Sequence, residues 1–120
     1  MIEQLVGRVF ATRNAVHLAH WAAVGDGSFA RHSALGDFYD ALIDKIDNIV
    51  EMYQGAFGLI GDVTVTEVSS KEVMDHIGEE ANWIEDHRDE IAGGVRAIEN
   101  MLDDLTGTYL TTFYKLKNLS

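Results

Sequence analysis

The chain contains no proline. Proline is the strongest breaker of helix interiors, so its absence favours long, uninterrupted helices and leaves glycine as the main punctuation. Apolar residues recur at helical spacing in four stretches. Ile2, Leu5, Val6, Val9, Val16, His20 and Val24 mark a first helix over about residues 1–24. Gly25-Asp26-Gly27 is a turn signal, and Ser28 is placed to cap a second helix over about 29–57, with a stripe of Leu35, Phe38, Leu42, Ile46, Ile49, Tyr53 and Phe57. Ser69 followed by Glu72 has the form of a capping box and predicts the start of a third helix, carrying Val73, Ile77, Ile84 and Ile91 as far as Gly93-Gly94. A fourth runs over about 95–118 on Ile98, Leu102, Leu105, Tyr109, Phe113 and Leu116, with Lys115 and Lys117 in its last turns, where cations suit the helix dipole.

The connectors set the predicted topology. Short turns join the first helix to the second and the third to the fourth, so each pair is antiparallel. Between them, Gly58 to Val68 is rich in β-branched residues and reads as an extended connector. About twelve residues of extended chain cover roughly 40 Å, whereas a helix of about 24 residues is ~36 Å long. The connector can therefore run the length of the molecule. One long crossover between the second and third helices is the ferritin-like arrangement of an all-α four-helix bundle, distinct from a simple up-down-up-down bundle. The 120 residues suit a single domain, 1–120.

Composition removes several functional classes. With no cysteine, there is no disulfide framework, thiolate metal site or thiol nucleophile. No run of about 18 apolar residues predicts a membrane span, and the N-terminal residues lack the pattern of a signal peptide, so a cytoplasmic protein without membrane partners is expected. The net charge of -11 attracts cations and repels nucleic acid. The nine basic residues are dispersed among twenty acidic ones, so strong direct DNA binding is not expected. No phosphate-cradling glycine loop or nucleophile elbow is present.

Two pairs of residues carry the predicted chemistry. His20 and His32 lie six residues either side of Asp26 in the turn. In an antiparallel hairpin they come level, and both imidazoles can serve one spot near one end of the molecule. Imidazole suits iron and zinc. Asp47 and Glu51 are four apart on the second helix and share one face, with Asp40 and Asp44 extending that row as a solvated face. Fifteen residues separate His32 from Asp47, which is ~22 Å along a helix axis. One chain cannot bring both pairs to one ion. Two second helices packed antiparallel about a two-fold axis near Asp40 or Ala41 would set the histidines of one copy against the carboxylates of the other, giving two equivalent sites per dimer.

The segment from His20-Trp21 through Phe29, His32, Ala41-Leu42-Ile43-Asp44 and Asp47-Asn48-Ile49-Val50-Glu51 resembles the ferroxidase signature of the Dps family, the mini-ferritins. The match covers about a third of the chain. The resemblance implies iron ligands at His20, His32, Asp47 and Glu51, which would also be the catalytic residues. It further implies oxidation of Fe(II) with hydrogen peroxide and sequestration of the Fe(III) product in a hollow dodecamer. Three departures stand out. Gly36 occupies the position, four residues after the second histidine, where the family places another aspartate, and Asp37 points about 100° away around the helix; this implies a weaker site or one iron instead of two. There is no lysine-rich arm before the first helix. The connector carries no small helix of its own.

Other residues have plainer readings. Trp21 is expected to pack in the core or at an interface and to position His20. His17 lies one turn before His20, and His76, Glu80 and His87 form a row on the third helix that reads as an exposed face rather than a second metal site. The single-chain ferritin pattern needs Glu-x-x-His on two helices, and Asn14, His17, Phe29, Val73 and Ile84, three before each histidine, include no carboxylate. The alternative to an iron oxidase is a non-catalytic Dps-like helical scaffold or interaction protein.

Overall fold

A computed structural model describes residues 1–120. The chain is all-helical, with α1 at Ile2–Ala22, α2 at Ser28–Phe57, α3 at Val73–Ala92 and α4 at Arg96–Asn118, and no strand. The arrangement is compatible with a four-helix bundle. Its principal extents of 48 × 24 × 21 Å follow from α2, since 30 residues at 1.5 Å each span ~45 Å. No helix is long and apolar enough to cross a membrane.

Two predicted helix starts and one predicted end move for identifiable reasons. Ser28 is the first helical residue rather than the cap, because Gly27 takes the capping position in a left-handed conformation at φ 76. No capping box forms at Ser69. Its hydroxyl instead accepts a hydrogen bond from the Lys71 amide, a local turn that competes with helix. Glu72 then adopts φ 54, and α3 begins at Val73, three residues later than the box placed it. Val24 lies beyond α1 and is exposed. Residues 58–69 form neither helix nor strand, and 70–72 are a bend and turn that lead into α3.

The core forms where the four stripes meet. Leu5, Val9 and Val16 from α1, Leu35, Phe38, Leu42 and Ile49 from α2, Ile77 and Ile84 from α3, and Ile98, Leu102, Leu105 and Tyr109 from α4 belong to one buried cluster. Phe38 meets Tyr109 edge to face at 4.9 Å, a favoured aromatic geometry. Truncating one such aliphatic residue to alanine costs about 2–5 kcal/mol. Packing is most extensive between α3 and α4 and between α1 and α2, and α2 also lies along α4.

Contacts at the ends fix how the elements sit. Gly27 lies beside Ser120, and Gly93 lies against the Phe57 ring. The connector is clipped to α1: the Gly61 amide donates to the Glu3 carboxylate at 2.8 Å. At Gly7, a Cβ would collide with the Thr64 carbonyl. Only glycine admits that approach of backbone to helix.

Candidate metal centre

The α1–α2 hairpin turns through Gly25 at φ 95 and Gly27 at φ 76, conformations that glycine adopts at little cost. The tight turn brings His20 and His32 level, as their spacing predicted. Their rings stack with centroids 3.6 Å apart and planes 22° apart.

Each ring also bonds to the other residue's backbone. His20 Nδ1 lies 2.7 Å from the His32 carbonyl oxygen, and His32 Nδ1 lies 2.9 Å from the His20 carbonyl oxygen. A carbonyl oxygen only accepts, so each Nδ1 must donate. In a neutral imidazole that leaves the sole lone pair on Nε2. The pair thus presents two Nε2 donors with their tautomers set by the backbone, the arrangement that metal-binding histidines use. The His20 carbonyl belongs to the last turn of α1, where helix geometry leaves oxygens short of partners. His32 therefore caps α1 while α1 orients His32.

Asp47 and Glu51 share an exposed face of α2 with Asp40 and Asp44. None of the four enters an ion pair within the chain. Nothing brings them near the histidines: along α2, His32 and Asp47 stand ~22 Å apart. No group of three or more His, Asp or Glu side chains converges on one point in the single chain. The single chain keeps the histidine pair and the carboxylate row apart.

The surface around the histidines is unusually apolar. Phe29 is 82 % exposed, Trp21 65 % and Leu18 52 %. Trp21 is therefore not a core residue. Its ring lies 4.3 Å from His17, which stacks on Tyr39 at 4.1 Å, with the Arg13 guanidinium 5.4 Å from the Tyr39 centroid. His17 stays 6.4 Å from His20, ring to ring. Arg13 Nε is buried without a hydrogen-bond partner.

The α3 row departs from its expected exposure. Glu80 is only 8 % exposed, because Arg8 reaches across from α1 to hold its carboxylate at 2.8 and 3.1 Å. Arg8 also lies over the Trp83 ring at 4.4 Å. His76 Nε2 meets the buried Thr12 hydroxyl at 2.9 Å, and His87 stacks on Trp83. Burial pushes the Tyr109 phenol well above its ordinary range, with the Thr12 hydroxyl offsetting part of that rise. These polar groups spend their hydrogen bonds on one another. They join α1, α3 and α4, a role that the sequence row alone did not reveal because the partners come from α1.

The molecule is an all-helical protein of four helices, compatible with a four-helix bundle. Residues 24–116 match the profile of a family of unknown function, DUF5856, and the chain belongs to that family. Comparison with curated proteins and with solved structures gives no match.

Proposed function

We propose that the chain is the subunit of a Dps-like mini-ferritin that binds Fe(II), oxidises it with hydrogen peroxide and sequesters the Fe(III) product. The observation that carries this reading is the reciprocal bonding of His20 and His32, which leaves the lone pair of each neutral ring on Nε2. On the same helix, Asp47 and Glu51 are exposed and unpaired. Antiparallel packing of two α2 helices about an axis near Asp40 and Ala41 would set each histidine pair against the partner's carboxylates. Two neutral nitrogens and two anionic oxygens suit iron, and the carboxylates favour the ferric product. Two ferrous ions give one electron each to one peroxide, which takes up two protons and leaves as two waters.

Several features support the ferritin-like arrangement behind this reading. Contacts of Gly61 with Glu3 and of Thr64 with Gly7, together with Phe57 at Gly93, suit residues 58–72 as a long crossover that sets α2 and α3 in the same direction. The exposed Leu18, Trp21 and Phe29 beside the histidines suit burial against a second copy. Such dimers would assemble further into a dodecamer, in the cytoplasm, with no need of DNA or membrane.

Gly36 favours a second reading, since it leaves the histidine end one carboxylate short. On that reading the chain is a non-catalytic scaffold with the same architecture. Anaerobic titration with Fe(II), followed by peroxide, separates the two. Saturable ferrous binding and rapid growth of ferric absorbance, both lost in His32→Ala, are expected of the oxidase. A wild-type chain that gives neither signal is a scaffold.

A further inference from the structure

We infer that Gly36 is a positioning residue: its missing side chain is the space in which the His20 ring reaches the His32 carbonyl. The position otherwise looks like a simple loss, a glycine where a carboxylate ligand would stand. The geometry gives it a different role. A Cβ built on Gly36 would lie 2.9 Å from His20 Cε1 and 3.2 Å from His20 Nδ1, with Nε2 at 3.9 Å. Carbon atoms do not approach so closely. The atom pressed hardest neighbours Nδ1, which bonds to the His32 oxygen at 2.7 Å.

The helix explains why this position matters. Gly36 follows His32 by four residues, so its own amide points to the His32 carbonyl. A side chain at 36 would stand beside that oxygen and shield it. With glycine there, the oxygen keeps a second lone pair open to His20. The cost of placing glycine inside a helix is ordinarily unfavourable relative to alanine, and α2 accepts it in mid-helix while α1 closes against it.

Two further ring contacts constrain His20. Its ring stacks on His32 at 3.6 Å and meets Tyr39 edge-on at 5.4 Å. Rotation away from a new Cβ would therefore break the Nδ1 bond and the stack together. The consequence is that an aspartate at 36 would not add a ligand to the site. It would displace one. Gly36 and a fixed His20 belong to one design, and an aspartate at 36 belongs to another.

The positioning role stands on geometry alone, while its effect on iron rests on the function proposed above. Four proteins test it: wild type, Gly36→Ala, His20→Ala and the double variant, unfolded in urea at one chain concentration. With His20 removed, Gly36→Ala should raise the folding equilibrium constant about two- to fivefold through helix propensity. With His20 present, that gain should vanish or reverse. Long-range nitrogen–proton spectra of the imidazoles should show His20 as the neutral Nδ1–H form in wild type and a loss of that form in Gly36→Ala, with helix content unchanged. An equal gain in both backgrounds with an unaltered His20 tautomer would overturn the inference. Ferrous affinity should fall about 10–100-fold in Gly36→Ala, and Gly36→Asp should fall with it; tighter binding by Gly36→Asp would also overturn it. If wild type binds no iron at all, the iron reading fails, and the urea cycle and the tautomer still decide the role of Gly36.

Discussion

The two helical hairpins differ in how their surface charges are paired. On the α3–α4 side one arginine gathers three carboxylates, while Leu110 and Tyr114 of α4 stand exposed. Arg88 bonds to Asp103 at 2.9 Å, to Asp89 at 2.8 Å and reaches Glu99 at 3.4 Å, so that it draws two strands of acidic surface together. On the α1–α2 side, Leu18, Trp21 and Phe29 face solvent and the row Asp40, Asp44, Asp47 and Glu51 has no cation. The apolar residues of α1 are spread around the helix, whereas those of α4 concentrate on one face. A helix that is apolar around most of its girth is buried on more than one side. Lys45 of α2 shows where the two regimes meet, since it turns inward to bond Asp104 of α4 at 2.6 Å. On the function proposed above, the α1–α2 surface is the one that a second copy would cover.

The largest expected effect tests whether a second copy covers the α1–α2 surface and shares its donors. His32→Ala and Glu51→Ala should each abolish iron oxidation, since each removes a donor from every site. Reassembled together, mixed dimers contain one intact site and one lacking both groups. Activity should recover toward half of wild type where mixed dimers dominate. If native mass measurement confirms mixed dimers and the mixture stays inactive, the shared site is wrong.

A smaller effect concerns the apolar patch. Phe29→Ser and Trp21→Ser remove groups that the single chain leaves in water, so the fold should lose little. The dimer should weaken by about 10-fold or more for each ring, an effect on the order of 1.4 kcal/mol or above. Sedimentation over a range of chain concentrations reads this directly. A mass distribution unchanged in the double variant would break the contrast between the hairpins.

The smallest effect belongs to the Arg88 cluster on the α3–α4 side. The Arg88 guanidinium holds the Asp103 carboxyl below the usual carboxylate range. A depressed carboxylate contributes stability above its unfolded-state value, and the contribution is lost as pH falls through the folded value. Asp103→Asn should therefore leave stability slightly lower at neutral pH and remove that part of the acid sensitivity. Because the pair is exposed, the change should be close to the scatter of ordinary surface substitutions. Urea midpoints at neutral and acidic pH give the comparison, and a drop as large as a core truncation would contradict it.

Helix identity was legible because periodicity and glycine punctuation are local signals. Leu35, Phe38, Leu42, Ile46 and Ile49 all lie buried as their spacing required, and the turn at Gly25–Gly27 levelled His20 with His32. The start of α3 was not legible, since a Ser-x-x-Glu pattern describes both a capping box and the turn that Ser69 makes with Lys71. The α3 row misled for a different reason. Glu80 looks exposed until Arg8 is known to face it, 72 residues away in sequence. Gly36 did carry a readable signal: a lone glycine in mid-stripe pays a helix penalty that something must offset. What it offsets, the His20 ring, comes from another helix and could not be read from α2 alone.

The paired bonds between His20 and His32 also act mechanically, as a register pin. A hydrogen bond weakens steeply beyond about 3.2 Å, while neighbouring residues on a helix differ in height by ~1.5 Å. Bonds of 2.7 and 2.9 Å therefore hold α1 and α2 to one alignment at the turn. Force applied to either helix at that end reaches the imidazoles at once, because the groups that fix the helices' relative height are the same groups that orient the rings. Sliding α1 along α2 and disordering the two Nε2 donors are one motion.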